Sequence, residues 1–363
     1  MSRCRLLVGS AAFLGALRED IPRATGRVLV QAMTFEGDAA GLALAELLVA
    51  SRATDRRVLV DEYTRFVQSD RFVYAPWSWR DPEVRREVRS TRDMFARIER
   101  SGGRVRYTNP VGPLFVGFPS RNHKKLVLLD DRVAYVGGIN FSDHNFAWHD
   151  LMVRIDDAEL TRALVADFEA TWEGRRAPRA ERVSGIELFL LDGRTNERMF
   201  ARFLELVRRA ERSIAVVSPY LTFPFCEELR AARRRGVSVT LLTPAANNKG
   251  TVRDYLVWEA ARSGFELRLF DGMSHMKAML LDERRLVLGS SNFDFLSYRT
   301  EDEILVVIED EDLVADFRAR VLDHDLAASR AFVGTPSPAR GWWSYAQLKA
   351  VEGLALASRL VSR

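Results

Sequence analysis

Two histidines carry the chemical interest of this sequence. His123 opens the stretch His123-Lys124-Lys125-Leu126-Val127-Leu128-Leu129-Asp130, followed by Gly137-Gly138-Ile139-Asn140. His275 opens His275-Met276-Lys277-Ala278-Met279-Leu280-Leu281-Asp282, followed by Gly289-Ser290-Ser291-Asn292. Counted from each histidine, lysine stands at +2, aspartate at +7, glycine at +14 and asparagine at +17, in both copies. A single His-x-Lys would carry little information, but a repeat that keeps four offsets marks a duplicated unit. The apolar run after each lysine reads as a buried strand, and residues two apart on a strand share a face. His123 therefore points with Lys125, and His275 with Lys277. Such a set suits a phosphodiester. One neutral imidazole can attack phosphorus and form a covalent intermediate. The other, protonated, can give its proton to the leaving oxygen. Lys125, Lys277 and the amides of Asn140 and Asn292 can hold the non-bridging oxygens as charge develops. No acidic cluster reads as built for a metal, so this chemistry needs neither metal nor cofactor. Asp130 and Asp282 fall at the turns that end the two strands, and their position reads as structural. The small residues before each asparagine would let backbone approach a ligand closely.

The elements that must position these residues also repeat. In the first half a helix through about Ala24 leads into the strand Arg27–Met33, a helix from Gly41 to Ala50 and the strand Arg57–Asp61. In the second, a helix around Phe200–Ala210 leads into Ser213–Ser218, a helix near Cys226–Arg235 and the strand Val237–Leu242. Each half adds a further helix (Glu83–Ser101; Val252–Arg262), a glycine turn and a short strand before its histidine. Each then closes with a strand and helix, Leu151–Ile155 with Leu160–Trp172 and Ile304–Ile308 with Leu313–Leu322. Strands alternating with helices predict an α/β protein of two pseudo-symmetric lobes, each a mostly parallel sheet flanked by helices, with the site between them. The boundaries read as 1–177, 178–330 and a tail at 331–363, with Gly174–Arg179 as linker. Only the first half carries the apolar, Pro/Gly-punctuated insert Asn109–Pro119, either a substrate-contacting loop or a packed surface loop. In the tail, Trp342, Trp343, Tyr345, Leu348, Val351, Leu354 and Leu360 fall mostly at helical spacing, with Lys349, Arg359 and Arg363 nearby. That helix either packs on the protein, the favoured reading, or lies in a membrane interface.

Bulk properties narrow the field only modestly. A chain of 363 residues, 47% hydrophobic and 29% charged, is long enough for two cores. A net charge of +4 permits an anionic partner without choosing one. Two cysteines, Cys4 and Cys226, make a disulfide framework unlike this chain and suit a reducing compartment. Arg3 and Arg5 before the apolar run Leu6–Leu17 could open a signal peptide. The counterpart Leu188–Gly193, followed by a helix through Leu206, favours a first strand and helix instead. No uninterrupted apolar run reaches transmembrane length.

At the duplicated His-x-Lys-x4-Asp stretches, each followed by Gly-(Gly/Ser)-x-Asn, the chain resembles the phospholipase D superfamily, from about Leu6 to Leu322. Within it the chain is most similar to bacterial cardiolipin synthases and related phosphatidyltransferases, on Ser218-Pro219-Tyr220-Leu221, Leu229–Val239, Gly137–Asn140 and Trp148-His149-Asp150. The resemblance implies metal-independent transfer through a phosphohistidine, with His123 the nucleophile and His275 the general acid, although the near-symmetry leaves the reverse open. It implies that Asp150 orients His123 and that Glu303, or Asp302, orients His275. The chain departs from the family at Leu296, where a basic residue is usual, and at Thr300-Glu301, where asparagine is usual.

The leading expectation is a phosphatidyltransferase that takes a phosphatidylglycerol-like phospholipid and an alcohol acceptor. It would be cytoplasmic, peripheral on the inner face of the cell membrane and competent as a monomer. The alternatives are a hydrolase of the same superfamily, acting on phospholipid or on nucleic acid, and a non-catalytic phosphate-binding scaffold. A nuclease needs a basic groove tracking a strand, but acidic residues are interspersed among these arginines. The apolar insert leans towards lipid, and two complete His-x-Lys pairs argue against a scaffold.

Overall fold

A computed structural model describes residues 3–361. Arg363 of the tail and the side chain of Leu360 lie outside what it describes. The chain divides into two compact units, Arg3–Ala177 and Pro178–Arg363.

In the first unit the order is β1 (Cys4–Val8), α1 (Ser10–Asp20), β2 (Arg27–Ala32), α2 (Ala39–Ala50), β3 (Asp55–Asp61), α3 (Pro82–Arg100), β4 (Arg104–Thr108), β5 (Leu126–Leu129), β6 (Val133–Gly137), β7 (Leu151–Asp156) and α4 (Ala158–Trp172). The seven strands line up as β1-β7-β6-β5-β2-β3-β4. The run Leu6-Leu7-Val8 thus becomes a strand, paired to β7 with Leu6 opposite Val153. Helices start where the sequence caps them. Asp81 accepts the amide of Glu83 at 2.8 Å with Pro82 at the first helical position, and α3 then turns Val84, Thr91, Met94, Phe95 and Ile98 inward. Gly102, at φ +89°, ends it.

The sheet is mixed. The expected parallel pairing holds for β2, β3 and β4, the strands joined through helices. The remaining pairings are antiparallel. The reason is local: β5 and β6 are joined by Asp130-Asp131-Arg132, far too short for a crossover. Asp130 and Asp131 both lie in the left-handed region, at φ 48° and 54°. That twist matches a hairpin, and aspartate tolerates it better than most residues.

The second unit repeats the plan. It contains β8 (Arg179–Val183), β9 (Ile186–Leu190), α5 (Asn196–Arg208), β10 (Ser213–Val217), α6 (Phe225–Arg234), β11 (Ser238–Pro244), α7 (Gly250–Ser263), β12 (Glu266–Phe270), β13 (Ala278–Leu281), β14 (Arg285–Gly289), β15 (Ile304–Ile308), α8 (Glu311–Phe317), β16 (Ser329–Ala331) and α9 (Pro338–Val361). Its nine strands run β8-β9-β15-β14-β13-β10-β11-β12-β16. Again only β10, β11 and β12 are parallel. The β13–β14 turn again has two left-handed residues, Asp282 at φ 52° and Glu283 at 56°. The outer strands β8 and β16 had no signal in the sequence; both are short and polar.

The tail does not stand apart. α9 packs within the second unit, burying Leu348 and Ala355. Tyr345 lies 5.7 Å from the Phe223 ring and 6.1 Å from that of Tyr255. Glu352 pairs with Arg299 at 3.0 Å. Trp342, Trp343, Val351 and Leu354 face outward. Cys4 and Cys226 are both buried free thiols, and burial pushes the Cys226 thiol well up from its ordinary range. No helix among the described residues is long and apolar enough to cross a membrane.

Candidate functional site

Each unit holds its own copy of the candidate site. In the first, His123 and Lys125 lie in the extended segment just before β5, and both are buried. The Lys125 ammonium donates to the carbonyl oxygen of His123 at 2.6 Å. In the second, Lys277 donates to the carbonyl of His275 and its Nζ lies 2.8 Å from His275 Nδ1. The ring of Tyr220, from the Ser-Pro-Tyr-Leu stretch, packs edge-on to His275 at 6.2 Å. Asn140 accepts the amide of Thr34 at 3.3 Å and donates to Asn145 at 3.3 Å. Asn292 is held through its backbone, its carbonyl accepting from Ser218 at 3.0 Å. Its buried Oδ1 has no hydrogen-bond partner among the described residues. Since amide oxygen and nitrogen are interchangeable by rotation, this group is available to a ligand as donor or acceptor.

The two aspartates at +7 sit at equivalent turns and do the same thing. Asp130 accepts the amides of Gly26 at 2.7 Å, Arg27 at 2.8 Å and Thr25 at 3.0 Å. Asp282 accepts those of Arg212 at 2.8 Å and of Glu211 and Ser213 at 3.1 Å. Each carboxylate ties the hairpin that follows its histidine to the start of the central strand, β2 or β10. Burial works against ionising Asp282, but the three amides outweigh it and hold its carboxyl below the usual 3.8. Asp282→Ala is expected to cost about 1–3 kcal/mol at pH 7. A lowered carboxyl stabilises above its unfolded pKa and loses that contribution as pH falls, so the difference from wild type should close in acid. Denaturant midpoints at pH 7 and pH 3 check this; a gap that widened in acid would contradict it.

Asp150 and Glu303 are equivalent as well, each immediately before the closing strand of its unit. Asp150 is buried and accepts the amide of Leu151 at 2.8 Å. Glu303 is fully buried, takes a short hydrogen bond from Ser290 Oγ and accepts from Ser297 Oγ at 2.6 Å. Asp302, the alternative carboxylate, is buried beside it. The small residues of the Gly-x-x-Asn elements pack closely against the closing strands. A Cβ on Gly138 would lie 2.4 Å from Asp150 Oδ1, and one on Gly289 would lie 2.1 Å from the Ile304 carbonyl oxygen. The closing strand and its carboxylate occupy that space.

Several residues around His123 escaped the sequence reading. Arg121 pairs with the fully buried Asp61 at 2.7 Å. Asn122 accepts from Gln31 at 2.8 Å and donates to Thr108 at 3.2 Å. Lys124 Nζ meets both carboxylate oxygens of Asp167, on α4, at 2.7 and 2.8 Å, with both residues almost fully buried. The signal was present: Arg121 and Lys124 flank the histidine, whereas the second unit has Met273 and Met276 in those places. Val111–Phe118, expected as a loop, is one. It forms a short turn at Pro113–Phe115 whose Phe115 packs on Phe66 and Phe72 while Leu114 is exposed.

Beside the Asn140 element, Glu36 donates its amide to Phe141 O at 2.9 Å. Its side chain, with Asp38 and Glu87, brings three carboxylates within 4.8 Å of one another. Burial, aided by Glu87 and Asp38 and opposed by the Ser69 amide, raises Glu36 to about 9. The folded chain therefore keeps a proton that the unfolded chain releases near 4.5. Stability should fall as pH rises through that window. Glu36→Gln is expected to raise the melting temperature at pH 8 by a few degrees and leave it nearly unchanged at pH 5. Equal shifts at both pH values would sink the assignment.

Residues 17–172 and 203–324 match the family model described as cardiolipin synthase, PLD-like domain. Cardiolipin synthase B of Escherichia coli K12 is 26% identical over 94% of this chain and 85% of its own length. The fold is similar to a crystal structure of phosphatidylserine synthase from Haemophilus influenzae, with a TM-score of 0.68 at 16% identity, over 99% of this chain and 94% of the other. It is also similar to polyphosphate kinase from Porphyromonas gingivalis, TM-score 0.59 at 15% identity, over 96% of this chain and 53% of that one. At these identities the two solved structures speak for the fold alone.

Proposed function

Because the chain belongs to the cardiolipin synthase, phospholipase D-like family, we propose that it transfers a phosphatidyl group from a phosphatidylglycerol-like lipid to an alcohol through a phosphohistidine. An imidazole nitrogen of His123 attacks phosphorus. The bond from phosphorus to the headgroup oxygen breaks, and that oxygen takes a proton from His275. In the second step His275 removes the proton of the acceptor alcohol, whose oxygen displaces the His123 nitrogen. Both histidines act at one phosphorus in this scheme, so one chain suffices. Lys125, Lys277, Asn140 and Asn292 hold the phosphoryl oxygens, and Asp150 and Glu303 orient the imidazoles. Asp130 and Asp282 position the site through the backbone.

The observation that carries the reading is the pair of buried His-x-Lys units, in which Lys125 and Lys277 each donate to the carbonyl of the histidine two residues before. A protonated His275, with a proton on both ring nitrogens, is the form that can give one to a leaving oxygen. The enzyme would work as a peripheral protein on the inner face of the cell membrane, where both lipid and polar alcohol are within reach. The test is a product assay: purified protein, phosphatidylglycerol vesicles, with and without added alcohols, lipids resolved by mass spectrometry. Cardiolipin or a phosphatidyl-alcohol supports transfer and identifies the acceptor. Phosphatidic acid alone would make the enzyme a hydrolase, and no lipid turnover, with cleavage of single-stranded DNA, would make it a nuclease.

A further inference from the structure

The first unit contains a cavity of about 560 Å³ that shares no residue with either His-x-Lys stretch. It lies between α3 and the segment that runs from Thr64 through a short hairpin to a helical turn at Pro76–Arg80. Its wall is strongly basic. Arg85, Arg89 and Arg92, from successive turns of α3, face it together with Arg65. Arg85, Arg89 and Arg92 form no ion pair among the described residues, whereas Arg65 has Glu62 at 3.4 Å and stacks on Tyr107 at 5.0 Å. The cavity also contains two polar atoms with nothing to bond. Gln68 Oε1 and Ser78 Oγ have no hydrogen-bond partner among the described residues, although each residue is only 2% exposed. A buried orphan of this kind costs roughly 1–3 kcal/mol, so two beside one cavity point to a polar ligand that satisfies them.

The rim is apolar and aromatic. Tyr74, Trp79 and Tyr107 line the cavity, while Trp77 is 74% exposed and Trp79 60%. Leu114, 92% exposed, stands on the neighbouring loop, joined to the rim where Phe115 packs against Phe66 and Phe72. Exposed tryptophans and a leucine beside unpaired arginines match the two chemistries of a bilayer surface, acyl chains and anionic phosphate.

We propose that this cavity is a second lipid site, which takes the phosphate headgroup of an anionic phospholipid and seats the first unit on the membrane. The proposal rests on the lipid-enzyme reading above and names the surface by which that enzyme meets its membrane. The phosphate would lie between Arg85, Arg89 and Arg92, with Ser78 Oγ donating to it. Gln68 Oε1 would accept from a headgroup hydroxyl, and the tryptophans would lie among the acyl chains.

The experiment is flotation of the full chain with vesicles of phosphatidylglycerol and phosphatidylcholine, against phosphatidylcholine alone and against competing soluble glycerol 3-phosphate. Wild type is expected to float with the anionic vesicles, less so as salt rises. Arg85→Ala/Arg89→Ala, two exposed positions, should bind roughly thirtyfold more weakly, at about 1 kcal/mol per basic side chain. It should still turn over a water-soluble short-chain phosphodiester at the wild-type rate. Trp79→Ala should weaken flotation as well, and His275→Ala should float normally. Unchanged flotation of the double variant would overturn the site while leaving the enzyme reading intact. Loss of lipid turnover in the wild type, with arginine-dependent flotation retained, would overturn the enzyme reading and leave the site. Full displacement by glycerol 3-phosphate with no effect of Trp79→Ala would make the ligand a soluble phosphate ester and overturn the lipid assignment. A dimer that dissociates in the double variant would reassign the surface to a second copy of the chain.

Discussion

Replacing His123 by alanine is expected to reduce phosphodiester turnover by about 10⁴-fold or more, whatever the leaving group. Removing a nucleophile eliminates the covalent route, and losses of up to about 10⁶-fold are known for such residues. His275→Ala should behave differently. A general acid contributes roughly 10²–10⁴-fold, and that contribution depends on how poor the leaving group is. With a glycerol headgroup the full loss should appear. With a p-nitrophenyl ester, which departs without protonation, the His275 variant should recover most of its first-step rate and release nitrophenol in a burst. The His123 variant should show no burst with either substrate. If the rescue instead belongs to His123→Ala, the two roles are reversed. If both variants are equally dead with both leaving groups, the histidines do not divide the work in this way.

The second large effect concerns folding. Lys124 and Asp167 form an ion pair with almost no access to solvent. Taking away one member leaves the other charged and buried, at a cost of about 3–5 kcal/mol. Asp167→Ala and Lys124→Met should each therefore lower the denaturant midpoint of the first unit severely. Replacing both by apolar residues of similar volume, Lys124→Met/Asp167→Leu, should return most of the loss, because the desolvation of both charges disappears as well. The second unit supports this expectation: Met276 occupies the place of Lys124 and is fully buried. Single variants that cost less than about 1 kcal/mol, or a double variant no better than the worse single, would contradict it.

The sequence carries part of this architecture in plain view and hides the rest. The duplicated offsets identified His123, Lys125, His275 and Lys277 because the spacing is short, and the extended segment that leads into each strand imposes it locally. The helix-linked strands were legible through their apolar runs. The antiparallel half of each sheet was not, because nothing in Leu126–Leu129 or Val133–Gly137 states a direction; only the short connection does. Asp61, Asp167 and Glu36 were invisible for a different reason. Their partners lie 60, 43 and 33 residues or so away in the chain, so only the folded state pairs them. The apolar insert at Val111–Phe118 was legible as a loop, but the segment around Tyr74–Trp79 was overlooked, since its aromatic residues follow neither helical nor strand periodicity.

The aspartate ties at Asp130 and Asp282 also bear on how freely the chain can grow. Each closes a loop, of 104 residues in the first unit and 70 in the second. Loop-closure entropy rises only logarithmically, so the longer loop costs just about 0.4 kcal/mol more than the shorter. Between the ends of the first tie lie the Tyr74–Trp79 segment, the arginines of α3 and the Leu114 loop. The ends of a loop can be fixed tightly while its middle lengthens almost without penalty. In this architecture the segment carrying the histidine is insulated from whatever is spliced into the interval. New surface can be added there, and discarded, without moving His123 and Lys125.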